Sequence, residues 1–144
     1  IYQLREVIEG LAARLAALQI TDKEIQRLKE ILQKFEEAEE RKNILDCLKY
    51  DRQFHYQVVK ASGNKYLSNT VSTFHLEPFI LPKFAKGKFS YIIASRILKR
   101  HRNLLKALEN HDSKTAERLA RLHVRNSFQR IKHLITKDSP SSSK

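Results

Sequence analysis

The sequence predicts an all-α domain, on the basis of its composition, its hydrophobic periodicity and its capping residues. Gly and Pro are scarce, with three of each in 144 residues, whereas the helix-favouring Leu, Ala, Lys, Glu and Arg are plentiful. Apolar residues recur at helical spacing along six segments, and capping or helix-breaking residues separate these segments. The length fits one domain with a full hydrophobic core, which is predicted to span residues 1–137.

The first two helices are predicted over residues 1–18 and from Thr21 to about residue 40. Thr21 and Glu24 have the spacing of a capping box. No capping residue precedes Ile1, so we expect a further segment before this one in the full protein. Each helix has an apolar stripe that is predicted to face the core: Leu4, Val7, Leu11, Leu15 and Leu18 in the first, and Ile25, Leu28, Leu32 and Phe35 in the second.

Four further helices are expected after these two. Gly63 can end the third helix in a left-handed conformation, and Asn64 can cap the fourth. Asp112 or Ser113 can cap the last helix. The predicted bounds of the four helices are about 44–61, 65–76, 89–110 and 113–135.

Two segments do not fit a regular helix. Pro78 and Pro82 interrupt the helical pattern, so 77–88 is predicted to be a short irregular helix or a loop. The Ser-rich tail, residues 138–144, is predicted to be disordered.

Four polar residues lie on predicted core stripes, where apolar residues are expected. Asp51 and His55 are four residues apart and therefore share one face of the third helix. His101 and His123 lie in the middle of the stripes of the fifth and sixth helices. Burying three imidazoles and a carboxylate singly is costly, whereas one metal ion would satisfy all four. The alternative is that each histidine has an ordinary structural role, which is commoner for a single His on an apolar stripe.

Nitrogen and oxygen ligands of this kind suit a divalent transition metal, zinc foremost, with nickel and manganese as alternatives. The other three histidines are weaker candidates. His75 lies near the prolines and off any stripe. His111 lies at a helix boundary, and His133 lies on a flank of the last helix, so we expect both at the surface.

The chain is strongly basic, with a formal net charge of +12 and a pI near 10.0. Such a charge favours an anionic partner, whether nucleic acid, a membrane surface or a small organic anion, although a solvated helical surface gives the same composition. No apolar run reaches the roughly 18 residues of a membrane span, and no signal peptide is visible. The single Cys47 cannot form an internal disulfide, which fits a reducing cytoplasm.

Several stretches of the sequence together resemble one known family. They are residues 5–17 (REVIEGLAARLAA), 51–55 (DRQFH), 61–67 (ASGNKYL), 101–108 (HRNLLKAL), and the run from His111-Asp112 through Ala116 to His123. In order and spacing they resemble the FadR-type C-terminal effector domain, or FCD domain, of GntR-superfamily bacterial transcription regulators. The resemblance covers about residues 4–130. Arg100 departs from it by standing where the family often has Glu, and His111 replaces a frequent Gly.

The resemblance implies an antiparallel bundle of six or seven helices that forms a homodimer. It also implies that a winged helix-turn-helix DNA-binding domain precedes this domain in the full protein. Metal-binding members of the family use ligands that correspond here to Asp51, His55, His101 and His123. The branch that binds acyl-CoA lacks this set, which argues against a fatty-acyl effector.

The resulting hypothesis is an effector-sensing domain of a cytoplasmic regulator. Its metal would leave coordination positions open for a small carboxylate, such as a dicarboxylic or hydroxy acid. Arg5 and Asn126 are the candidate residues for binding this effector. For Arg5, a surface or packing role is the alternative.

Two other functions are compatible with the composition. A basic helical module would bind nucleic acid directly, but the chain has no interleaved exposed aromatics and no recognisable recognition helix. Its cations would be Arg118, Arg121, Arg125 and Lys132 of the last helix and Lys99, Arg100 and Arg102 of the fifth. A metalloenzyme would use the ion as a Lewis acid, but the chain lacks Glu-x-x-His pairs and the His-Glu-x-x-His motif, so we do not expect an enzyme.

Overall fold

The computed structural model describes residues 2–73 and 91–137, which form six α-helices and, within these ranges, no strand. This confirms the predicted all-α class. The helices are α1 (Tyr2–Gln19), α2 (Asp22–Glu40), α3 (Ile44–Ala61), α4 (Lys65–Ser72), α5 (Tyr91–Glu109) and α6 (Ser113–Lys137). Within the same ranges, no helix combines the length and the apolarity that crossing a membrane requires.

The caps predicted from the sequence determine where several helices begin. Thr21 and Glu24 form a complete capping box at the start of α2. Gly63 follows α3 with a φ of 68°, in the left-handed region, and the side chain of Asn64 caps α4. That helix ends at Ser72, earlier than predicted. Predictions for His75, the segment 77–88 and the tail 138–144 fall outside the described residues.

Contacts between distant residues show that the bundle is antiparallel. Along α1 and α6, early residues of one helix meet late residues of the other: Glu6 pairs with Arg125, and Gly10 lies against Arg121. Along α2 and α5, Lys29 pairs with Glu109 and Glu36 with Arg102. Helix α3 packs against α1, α2 and α5, so its polar residues lie inside the bundle.

His111 holds the start of α6 against the end of α1. Its φ of 53° lies in the left-handed region, which His tolerates better than most residues other than Gly. The ring Nδ1 lies 2.8 Å from the carbonyl oxygen of Ala17 and donates to it, since a carbonyl only accepts. His111 is exposed, as predicted.

The predicted core stripe of α1 is wrong. Leu4, Val7 and Leu18 are 50%, 51% and 63% exposed, and Leu11 is also exposed. The buried face of α1 consists instead of Ile8, Glu9 and five small residues, which are Gly10, Ala12, Ala13, Ala16 and Ala17. Small side chains let a helix backbone approach its neighbours closely, so the alanine face lies against the bundle and the leucine face is left outside.

The predicted stripes of the other long helices are confirmed within the described residues. They interlock in one hydrophobic core whose largest members are Leu28, Phe35, Phe54, Val59 and Leu108. Each of these side chains is almost completely buried, and full burial of a Leu or Phe side chain contributes roughly 1.5–3 kcal/mol to stability. This core surrounds the polar residues of α3, α5 and α6 and fixes where they point.

Candidate metal centre

The four predicted metal ligands come together in the interior of the bundle. Asp51 and His55 extend from adjacent turns of α3, His101 extends from α5, and His123 extends from α6. The exposed fractions of the three histidines are 8%, 1% and 6% in chain order, whereas Asp51 is only partly buried. Three helices therefore supply one cluster.

Three of the five distances between ring nitrogens and carboxylate oxygen in this cluster are those of atoms that coordinate one ion. Nε2 of His55 lies 3.0 Å from Nε2 of His123 and 3.1 Å from Nε2 of His101. Oδ1 of Asp51 lies 3.2 Å from Nε2 of His101, 3.7 Å from that of His55 and 4.0 Å from that of His123. Atoms bound to one ion at about 2.1 Å are on the order of 3.0–3.4 Å apart.

Hydrogen bonding among these residues is incomplete. Among the described residues, Oδ1 of Asp51 is buried and contacts the imidazoles of the cluster, whereas Nδ1 of both His101 and His123 is buried and has no hydrogen-bond partner. Three ring nitrogens that meet at one point cannot all be satisfied by shared protons, because each bridging proton serves only two of them. A cation at this point would interact with all three lone pairs and with the carboxylate. The four residues are thus a potential metal site that is compatible with a divalent ion.

Aromatic side chains fix the ring of His101 in place. Phe54 stacks on it with a centroid distance of 4.4 Å and an interplanar angle of 24°. Phe35 meets it edge-on at 5.9 Å. Because Phe54 lies directly before His55 on α3, the same helix supplies two of the ligands and part of the support for a third.

Glu9 is a functional residue that the sequence analysis missed. Its carboxylate is 4% exposed, with Oε2 lying 3.0 Å from Nδ1 of His55 and Oε1 accepting a hydrogen bond of 2.8 Å from Nε of Arg5. A carboxylate behind a metal-binding histidine orients the ring and makes it a stronger ligand. The sequence does show an acidic residue beside the alanine face of α1. Its burial could be predicted only once that face was known to be buried.

The charges of the cluster follow from these contacts. Burial alone would lower the pKa of His55, but the charge of Glu9 and the hydrogen bonds to Asp51 and Glu9 outweigh it and raise the pKa to about 10. Burial would raise the pKa of Asp51, yet hydrogen bonds from His101 and His55 hold it well below its usual range. Burial would also raise the pKa of Glu9, but the positive charges of His55 and Arg5 lower it. In the metal-free chain both carboxylates are therefore ionised, and His55 is protonated at neutral pH.

The pKa values of the other two histidines are lowered rather than raised. Burial lowers the pKa of His101, and the carboxylate of Asp51 offsets this only in part. Burial lowers the pKa of His123 much further, together with the nearby positive charge of His55 and His101. Both rings are thus neutral at pH 7, which is the form in which an imidazole binds a metal.

The two residues predicted to bind an effector lie near the cluster in different ways. Arg5 pairs with Glu9, and its guanidinium carbon lies 5.6 Å from the ring centroid of Tyr2, so it is connected to His55 through Glu9. Asn126 is partly buried on α6, three residues beyond His123. Their effector-binding role stays a prediction.

Three arginines lie beside the cluster, and the sequence analysis did not group them. Arg96 and Arg100 are one turn apart on α5, and Arg130 lies two turns beyond His123 on α6. Burial lowers the pKa of Arg100, and so does the positive charge of Arg96. Burial also lowers the pKa of Arg130, as do Arg100 and Arg96, while the carboxylate of Asp51 acts against them.

Comparison with known proteins agrees with this geometry. The FCD domain family matches residues 1–126, which is most of the chain. The chain belongs to the FCD domain family. No curated protein matches it. FCD domains are the effector-sensing part of GntR-family regulators, and they are regulatory rather than catalytic.

Two solved structures show a similar fold. The structure of E. coli McbR/YncC is 17% identical with a TM-score of 0.80, and the match covers 92% of this chain and 63% of that one. The structure of Streptococcus agalactiae GntR is 26% identical with a TM-score of 0.68, and the match covers 89% of this chain and 56% of that one. This FCD chain thus spans less than two thirds of the length of either protein.

Proposed function

We propose that this FCD domain binds a divalent transition metal and a small carboxylate effector, and so controls DNA binding by a winged helix-turn-helix domain of the full, cytoplasmic regulator. The observation that supports this most is the convergence of Asp51, His55, His101 and His123 on one point. Zinc is our first choice of metal, since three imidazoles and one carboxylate match its ligand preference, with nickel and manganese next.

The bound ion would supply open coordination positions at which a carboxylate of the effector binds. Asn126, partly buried three residues beyond His123, would donate a hydrogen bond to that effector. Arg5 would act on the same site through Glu9 and would contribute positive charge. The effector changes the state of the regulator only to the extent that it binds one arrangement of the bundle more tightly than another.

Effector binding through the metal predicts a chelator-sensitive stabilisation. One carboxylate from a panel of small acids is expected to raise the Tm of the zinc-loaded chain by several degrees, because a ligand of the folded state stabilises it by mass action. Differential scanning fluorimetry with and without EDTA measures this, and sodium chloride at equal ionic strength is the control for the high net charge. A stabilisation of the same size after the metal is removed would contradict the proposed binding mode.

A homodimer is proposed from the exposed face of α1. Leu4, Leu11 and Leu18 recur every seven residues on this face, and Val7 lies between the first two. A helix with a seven-residue apolar repeat packs well against a second such helix, and a second copy of this chain offers the same stripe.

Introducing a charge into this stripe is expected to separate the two copies. Leu11→Asp should reduce the mass in solution from that of two chains to that of one, 16.9 kDa, because a buried unpaired carboxylate is costly. Leu45→Asp is the control, since Leu45 is 61% exposed on a different helix and its substitution should leave the dimer intact. Light scattering after gel filtration gives both masses. Equal masses for the two variants would rule out α1 as the interface.

A basic module that binds nucleic acid directly is less well supported. Of its predicted cations, Arg102, Arg121 and Arg125 form ion pairs with Glu36, Glu117 and Glu6 respectively. Arginines that are held by carboxylates of their own chain present less positive charge to phosphates. The effector-sensing function therefore remains the one that the geometry supports best.

A further inference from the structure

Three arginines near the metal centre, one of them exposed and two partly buried, have no carboxylate partner among the described residues. Among the described residues, Arg96, Arg100 and Arg130 form no ion pair, whereas Arg102 and Arg125 on the same two helices each pair with a glutamate. Nη1 of Arg100 is buried and has no hydrogen-bond partner within the same ranges. A buried guanidinium nitrogen without an acceptor is costly, so the described residues leave this site incomplete.

One of these arginines is held toward the metal cluster by hydrogen bonds, and another is next to a cluster residue in sequence. Arg100 directly precedes His101, and Arg130 donates from Nη2 to Oγ of Ser127 at 2.9 Å. Ser127 in turn donates to the carbonyl oxygen of His123 at 2.9 Å. The guanidinium of Arg130 thus folds back along α6 toward the histidine, as long helical side chains do.

The charges at this place are unbalanced on the positive side. Asp51 is the one carboxylate found to influence Arg130, and its Oδ1 is already directed at the histidines. A divalent ion would add two more positive charges next to the three guanidinium groups. An anion with only one carboxylate, bound to the ion, would leave the arginines without a partner.

We propose that Arg96, Arg100 and Arg130 bind a second anionic group of the effector, which is therefore a dianion: a carboxylic acid that also bears another carboxylate or a phosphate. This inference rests on the proposed function, in which the first carboxylate binds the metal. Arginine suits the second group because its planar fork donates two parallel hydrogen bonds to a carboxylate or phosphate.

Calorimetric titration of the zinc-loaded chain with matched pairs of acids tests the proposal. Succinate is expected to bind at least about tenfold more tightly than propionate, or 3-phosphoglycerate than glycerate, because charge-assisted hydrogen bonds to arginine are strong. Whichever pair shows the difference identifies the second group as carboxylate or phosphate. Equal affinities within both pairs would overturn the proposal while leaving the binding of zinc and of a single carboxylate intact.

Two variants distinguish a specific role of Arg100 in binding the second anionic group from a general effect of positive charge on α5. Arg100→Gln should abolish the preference for the dianion and leave the zinc content and the affinity for the monoanion unchanged. Arg102→Gln removes the same charge two residues away on the outer face of α5 and should retain the preference. A preference that survives in Arg100→Gln, or that is lost equally in both variants, counts against the proposed site.

Inorganic phosphate titrated into the metal-free chain distinguishes failure of this inference from failure of the proposed function. If zinc or carboxylates do not bind, phosphate binding that disappears in Arg100→Gln still upholds an anion site at these arginines. If neither carboxylates nor phosphate binds in an Arg100-dependent manner, the inference is overturned as well.

Discussion

Replacing His101 and His123 together by alanine is expected to abolish metal binding. The native chain should purify with close to one ion per chain, and the double variant should retain less than about a tenth of that, because two of four ligands are lost. Elemental analysis by mass spectrometry measures the ratio directly. His111→Asn is the matched control, since it removes a histidine outside the cluster and Asn tolerates the left-handed backbone there.

The double variant can also lose stability for a reason other than the loss of metal. His101 is 1% exposed, so alanine also leaves a cavity and lowers stability by itself. Chelation resolves the two effects. A thousandfold excess of free ion over its Kd stabilises a protein by about 4 kcal/mol, so EDTA should lower the Tm of the native chain by on the order of 10 °C. EDTA should leave the Tm of the double variant unchanged. A folded double variant that still holds stoichiometric metal would refute the assignment of the ligands.

The helices, and the core stripes of four of the five long helices, could be predicted from the sequence because local rules determine them. Capping residues such as Thr21 and Asn64 act on the neighbouring backbone, and one-sided apolar spacing leaves only one face to bury. Helix α1 has two apolar faces, one of leucines and one of alanines. Residue size favoured the leucine face, whereas close packing against α6 and α3 selected the alanine face.

The metal cluster was predictable because its members break the apolar pattern. A His or Asp in the middle of a core stripe is conspicuous on a single helix, and the spacing of Asp51 and His55 already places them side by side. That His101 and His123 meet them depends on how α5 and α6 pack, which periodicity does not specify. The family resemblance supplied that step.

Residues that act from beside the ligands could not be found in this way. Glu9 was missed because the wrong face of α1 was assigned to the core, so its carboxylate was not expected inside. Arg100 and Arg130 are far apart in sequence and lie on different helices. Only the packing of those helices brings both arginines near the histidines, where the described residues offer them no carboxylate partner.

Metal binding at pH 8 is expected to release about one proton per ion. His55 must lose its proton to bind the ion, and its pKa of about 10 in the metal-free chain keeps it protonated at this pH. His101 and His123, with lowered pKa values, have no proton to lose. An ordinary histidine with a pKa of about 6.5 would release almost none at pH 8. Calorimetry in buffers of different ionisation enthalpy counts the released protons.

The release of this proton also makes the affinity depend on pH. The apparent affinity should rise about tenfold for each pH unit between 7 and 9 and level off near the pKa of His55. Glu9→Gln removes the charge that raises this pKa most, so the variant should release clearly less than one proton at pH 8 and show a shallower pH profile. Arg102→Gln, whose side chain pairs with Glu36 on the outer face of α5, should behave like the native chain. Proton release near zero in the native chain would mean that Glu9 and Asp51 do not hold His55 in its charged form, and the proposed support of the metal centre by Glu9 would then be untenable.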